Sequence, residues 1–416
     1  MKKIMKTGIN FMVGYNLIYL GVNYLWISYE TMILPTQVSS LVPLASASFI
    51  LGITASTGNA AGILGNLSAG YGGDKLIKNY GRRYLLIGTG IVGIFFSLLF
   101  ESLTLSSLFQ VIAGYVAIQG FSNLAIGAVQ PVIAEISNES DRGTSAGING
   151  FFSLMGSAMG FGITSIFLSS GYYNSAIYSL MIGISITGIG SAIVIDRYDR
   201  RNRSAGESTV TFKRINKAPN MRIFRLFPLG SFFVFSGITG LTYFELFFFK
   251  IVLKSSNPDL LVGVAGITVL AVSALSSFFV AHFSHRLGRW KILQIAAVGA
   301  AIPTLIIPLF HNFYIFLGLG SLIGAAYGSY YSVSFAMAGE LTPSGNRGMS
   351  IAFFYLSISV ASALSPFIYG TVIYLFRGTS NSGFTALFLC SGILYIIGAI
   401  TLAYTSKKHR FGTANT

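Results

Sequence analysis

An all-α polytopic membrane protein, with twelve transmembrane helices in two pseudo-symmetric six-helix bundles, is predicted by three observations. Only 9% of the 416 residues are charged and 53% are hydrophobic, with a mean hydropathy of +0.69. A soluble chain carries roughly 25% charged residues. The apolar residues gather in twelve stretches, each near the ~20 residues that cross a bilayer. Two charged landmarks of the first half recur in the second at almost the same offset.

In chain order the spans cover 8–34, 46–70, 84–103, 107–134, 144–169, 172–195, 226–250, 260–281, 292–310, 313–337, 348–376 and 383–405. Backbone polar groups in lipid must be satisfied within the segment, so each span is read as a helix. The opening MKKIMK has the charge of a signal peptide, but the apolar stretch behind it is too long and lacks a small-residue cleavage site. It is read as a retained first helix. With the N-terminus inside, the cytoplasmic segments hold 24 of the 27 lysines and arginines, all but Lys250, Lys254 and Arg377. This asymmetry predicts a multi-pass protein of the cytoplasmic membrane with both termini cytoplasmic. The domains expected are an N-terminal bundle (1–195), a linker (196–225), a C-terminal bundle (226–405) and a tail (406–416). The linker has nine cations against Asp196, Asp199 and Glu207. It either attracts anionic inner-leaflet lipid or is a solvated connector that reinforces orientation.

Composition also excludes. A net charge of +15 would point to nucleic acid in a soluble chain; here the cations lie between apolar spans, so no nucleic-acid partner is expected. One cysteine, Cys390, leaves no internal disulfide framework. His282 and His285 lack nearby acids, and no metal or other cofactor is expected. There is neither a phosphate-binding G-x4-G-K-[ST] run nor a nucleophile–histidine grouping, so neither ATP-driven pumping nor enzymatic catalysis is expected.

The repeat rests on two signals. Glu135 is followed seven residues on by Arg142-Gly143, and Glu340 by Arg347-Gly348, 205 residues later (135 to 340). Gly81-Arg82-Arg83 is echoed by Gly288-Arg289, 207 residues later (82 to 289). Six plus six helices in parallel repeat is an architecture of secondary transporters, in which the solute site lies between the halves.

The run Gly70-Tyr-Gly-Gly-Asp74-Lys75, then Gly81-Arg82-Arg83, resembles the loop 2–3 motif of the major facilitator superfamily, with Leu76 to Asn79 as extra residues. The second copy has the usual spacing but carries His285 where an acid would stand. The Glu/Arg-Gly pairs resemble those of the sugar-porter and metabolite–proton symporter branches. Against a hexose porter, IDRYDRR lacks a Pro-Glu-Ser signal, and the seventh span lacks paired glutamines. The resemblance implies a transporter of a small molecule working by alternating access.

A helix N-terminus carries about half a positive charge and favours a carboxylate. Asp74 can meet such an end near Arg347, and Arg82 and Arg83 can bridge to acids such as Glu135. Asp74, Arg82, Arg83, Glu135, Arg142, Arg289, Glu340 and Arg347 are therefore candidates for a cytoplasmic gate. The plainer alternative, positive-inside anchoring, leaves Asp74 unexplained.

Acids inside spans are few. Asn16, Asn23 and Glu30 advance in steps of seven and share one stripe of the first span. Glu30 and Glu245 are proton-coupling candidates; Glu101 reads as a loop residue at the outer end of the third span. Solute-binding candidates are Asn16, Asn23, Trp26, Gln119, Asn123 and Asn149 in the first half, and Tyr243, Tyr327, Tyr330, Tyr331 and Tyr355 in the second. For each, helix packing is the alternative. Gly320, Gly324 and Gly328 predict a packing face on the tenth span.

The leading expectation is a monomeric, proton-coupled secondary transporter of a small polar or organic solute. A proton-driven exporter of organic compounds, a facilitative uniporter and a non-transporting transceptor or scaffold are the alternatives.

Overall fold

The computed structural model describes residues 8–80, 83–103, 107–135, 139–204, 221–341, 347–378 and 381–413. They form helices without a strand among them. Eleven helices of this set are long and apolar enough to cross a membrane. The first predicted span is also helical but is not among the eleven.

The chain divides into two compact units. Unit 1 comprises Met1–Val42 and Thr57–Phe212, and unit 2 comprises Pro43–Ser56 and Lys213–Thr416. The first helix, α1 (Ile9–Ser28), passes through a π-helical turn, Tyr29–Ile33, into α2 (Leu34–Leu41). Next come α3 (Leu44–Tyr80), α4 (Tyr84–Leu103), α5 (Leu108–Val129) and α6 (Val132–Glu135). After α7 (Glu139–Met159) comes a second π turn, Gly160–Thr164, with α8 (Ser165–Ser169) and α9 (Tyr173–Ser204) behind it. The second set has α10 (Met221–Phe247), a π turn at Phe248–Val252, α11 (Pro258–Leu287) and α12 (Arg289–Ile306). It closes with α13 (Phe313–Glu340), α14 (Arg347–Leu375) and α15 (Ser382–Thr413).

The predicted repeat appears in which helices are neighbours. In unit 1, α1 packs on α7 and α9, and α4 on α5 and α9. In unit 2, α10 packs on α14 and α15, and α12 on α13 and α15. These are the same ordinal pairs: first with fifth and sixth, third with fourth and sixth. The closest backbone approaches also correspond. A Cβ on Gly65 of α3 would collide with the Gly120 carbonyl of α5; one on Gly324 of α13 would sit 2.7 Å from the Val269 carbonyl of α11. Both members are displaced by 204 residues (65 to 269, 120 to 324). Gly328, pressed on Ser273, continues the predicted packing face.

Local chemistry sets several ends. Ser107 caps α5 by accepting from Gln110 N, and Asn312 caps α13 by accepting from Tyr314 N and Ile315 N. Gly288 links α11 to α12 at φ 82°, a conformation that suits glycine. Several helices outrun their predicted spans, α3 and α9 among them. Continuous helix to Tyr80 makes Leu76 to Asn79, the extra residues of the loop motif, about one more turn of α3. Helix α9 runs to Ser204, so Asp196 and Asp199 belong to it rather than to a loop.

Candidate functional site: a carboxylate–amide network in unit 1

Glu30 lies in the π turn after α1 and meets α5. Gln119 Nε2 donates to its Oε1 at 2.6 Å, and the Tyr115 hydroxyl donates to the same oxygen at 3.4 Å. Gln119 Nε2 also reaches the Tyr115 oxygen at 2.7 Å, and Asn123 Nδ2 donates to Gln119 Oε1 at 3.3 Å. One helical turn below Glu30, the Trp26 indole donates to Ser122 Oγ at 3.0 Å. Thus Glu30, Trp26, Gln119 and Asn123 are brought together. Their mix of donors and acceptors can hold a proton or a polar group.

The other polar candidates of α1 do not join them. Asn16 is buried against α7, where its Nδ2 donates to Ser145 Oγ at 3.0 Å and its Oδ1 accepts from Asn149 Nδ2 at 3.2 Å. The Tyr15 and Ser145 hydroxyls are also paired. Asn23 donates to the Tyr19 carbonyl of its own helix at 2.8 Å. The shared stripe therefore meets different neighbours at its two ends.

Glu101 corrects the loop reading. It lies inside α4 and is 1% exposed, with Gln37 Nε2 donating to its Oε2 at 2.6 Å. The Tyr29 hydroxyl donates to Gln37 Oε1 at 3.1 Å, and the Tyr29 ring stacks on Tyr115 with centroids 5.5 Å apart. The sequence signal was present: an acid within an apolar span is a functional-site candidate by default.

In unit 2 the tyrosines gather around Phe235, whose ring centroid lies 6.2, 5.6 and 6.4 Å from those of Tyr327, Tyr330 and Tyr331. Phe335 bridges Tyr331 (4.6 Å) and Tyr355 (5.3 Å). Tyr330 is buried and donates to Ser231 Oγ at 3.0 Å, a packing position. Tyr243 is buried as well, whereas Tyr331 and Tyr355 are exposed. Glu245 lies in α10, three residues before the π turn, and makes no hydrogen bond or ion pair with the described residues.

Of the gate candidates, Arg83 is buried and pairs with Asp199 of α9, Nε to Oδ1 at 3.2 Å. One partner of Arg83 thus lies in α9; the sequence suggested acids such as Glu135, whose side chain lies outside the described residues. Arg289 opens α12 directly after Gly288. Arg82 and the side chains of Asp74, Glu135, Arg142, Glu340 and Arg347 lie outside the described residues.

Two helix sets with one pairing scheme, and an acid and amides among the spans, are features that suit a membrane transporter scaffold. The family model of the Major Facilitator Superfamily matches residues 9–307 and 258–414, and the chain belongs to that superfamily. No curated protein sequence matches it significantly. Among solved structures, a D-xylose–proton symporter aligns with a TM-score of 0.72 at 15% identity, covering 95% of this chain and 96% of that one. The nucleoside transporter NupG aligns at 0.70 and 15%, covering 96% and 100%. A bacterial homolog of the human lysosomal transporter Spinster, inward-facing and unoccupied, aligns at 0.69 and 13%, covering 96% of each chain. These likenesses establish the fold; the family match and the eleven apolar helices make the chain an integral, multi-pass membrane protein of a transporter superfamily.

Proposed function

We propose that the protein moves a small polar or organic solute across the cytoplasmic membrane by alternating access, coupled to protons bound at Glu30. The carrying observation is the Glu30 carboxylate held by Gln119 and Tyr115 within the helices of unit 1. An acid among spans that accepts from neutral donors can alternate between charged and neutral states as its surroundings change. The fold shared with a D-xylose–proton symporter supports proton coupling. The aromatic face of Tyr331, Phe335 and Tyr355 favours a second reading, a proton-driven exporter of organic compounds. The cytoplasmic gate, cytoplasmic termini, monomeric state and anionic-lipid contact of the 196–225 segment complete the proposal.

The test is reconstitution into proteoliposomes containing a pH-sensitive dye, with a panel of sugars, nucleosides, organic acids and aromatic cations added in turn. Solute-dependent proton movement that Glu30→Gln abolishes is the expected result. Solute flux without proton movement in the wild type would convert the proposal to a uniporter.

A further inference from the structure

We propose that Glu101 is a second proton-binding site of unit 1, separate from Glu30 and joined to it through Gln37, Tyr29 and Tyr115. Glu101 is 1% exposed, and only one of its oxygens is satisfied, by the Gln37 amide at 2.6 Å. The other, Oε1, has no hydrogen-bond partner and abuts Gly114 of α5, where any Cβ would overlap it. The titratable groups that face it are Tyr29 from the π turn and Tyr173 from α9, which interacts with it electrostatically. The Tyr173 hydroxyl is likewise buried without a partner. From α2 and α5 it meets Gln37 and Gly114, both uncharged, and no Lys, Arg or His among the described residues pairs with it.

A carboxylate taken out of water needs a cation or several donors to remain ionised. One amide N–H, even with the Tyr29 hydroxyl beside it, falls short, and a proton on Oε1 removes the charge. When water reaches this end of α4, the acid passes its proton to a water molecule and becomes a carboxylate. The link to Glu30 is a continuous set of contacts: Gln37 to Tyr29 by hydrogen bond, Tyr29 to Tyr115 by stacking, and Tyr115 to Glu30 by hydrogen bond. Acids that interact strongly titrate as a pair, and the proposed link requires Glu30 and Glu101 to do so. The use of this proton in transport rests on the proton-coupled reading above; its binding is measurable without any solute.

The experiment is infrared difference spectroscopy of the full-length protein in lipid nanodiscs, stepped in pH in H2O and in D2O. Expected is a protonated-carboxyl band that shifts in D2O, fades as pH rises and is lost in Glu101→Gln. In Glu30→Gln the band persists but its midpoint moves to lower pH, because removing one negative charge eases ionisation of the other acid. A band unaltered in Glu101→Gln overturns the site, and an unmoved midpoint in Glu30→Gln overturns the link. Should Glu101→Gln fail to fold, Gln37→Leu keeps the acid and removes its donor; the band must then move to higher frequency, and a stationary band overturns the site. If the band behaves as expected while no solute drives proton movement, the transport reading fails and the site stands.

Discussion

Unit 1 and unit 2 share a helix-pairing scheme but not a lining. Unit 1 places Glu30, Gln119, Tyr115 and Asn123 in one hydrogen-bonded set, with Glu101 and Gln37 beside it. Unit 2 instead gathers Phe235, Tyr327, Tyr331, Phe335 and Tyr355 among its helices, and Glu245 makes no hydrogen bond with the described residues. The scaffold depends on backbone contact at small residues, which both units keep. Side chains that do not touch that contact are free to diverge. One unit can therefore carry the charge chemistry while the other supplies shape and aromatic surface.

The sharpest way to break this contrast is to neutralise each acid. Glu30→Gln should abolish accumulation driven by a pH gradient in proteoliposomes while solute exchange continues, and Glu245→Gln should leave the gradient response in place. The reverse pattern would move the coupling to unit 2.

Next in size is the buried pair of unit 1. Asp199→Ala removes a carboxylate partner from the buried Arg83 and should cost up to ~3 kcal/mol of stability, read as a lower denaturation midpoint in detergent. The double replacement Arg83→Met with Asp199→Leu should recover most of the loss. If the single variant is as stable as wild type, the pair is not a staple of α4 on α9.

The shared backbone contacts should respond alike in the two units. Gly65→Ala and Gly324→Ala force helices apart and should each cost about 1–3 kcal/mol, whereas Gly88→Ala meets open space and should be neutral or slightly stabilising. Thermal unfolding of the three variants decides it.

The smallest effect is expected in the aromatic cluster. Tyr331→Ala or Tyr355→Ala should weaken binding of an aromatic solute by roughly 1 kcal/mol, and Tyr330→Ala should instead lower stability. Isothermal titration and melting curves separate the two outcomes.

The fold was legible because its signals are additive over many residues: span length, cation placement and a repeated charged landmark. Site residues were legible where spacing alone fixes a shared helical face, as for Gln119 and Asn123. They were not legible where contact depends on how helices cross. Asn16 and Glu30 lie on one stripe, yet crossing geometry gives one to α7 and the other to α5. Gln37 comes soon after a proline and resembles a helix-terminal residue, so its bond to Glu101 across 64 positions had no local sign. Asp199 was hidden in a segment whose composition resembles a linker, although its helix continues to Ser204.

The π turn at Tyr29–Ile33 has one more effect. Glu30 and Gln37 are seven residues apart, a spacing that points both side chains the same way on an unbroken α-helix. The wider turn takes in one more residue and rotates the helix beyond it by about 100°. One strand of chain can thus address two adjacent helices, Glu30 toward α5 and Gln37 toward α4. Deleting a single residue there, such as Thr31, would return the turn to α-helix yet leave the two side chains six residues and about 120° apart, so each would keep its own neighbour; it is an insertion or deletion beyond the turn, between Ile33 and Gln37, that would swing Gln37 away from Glu101.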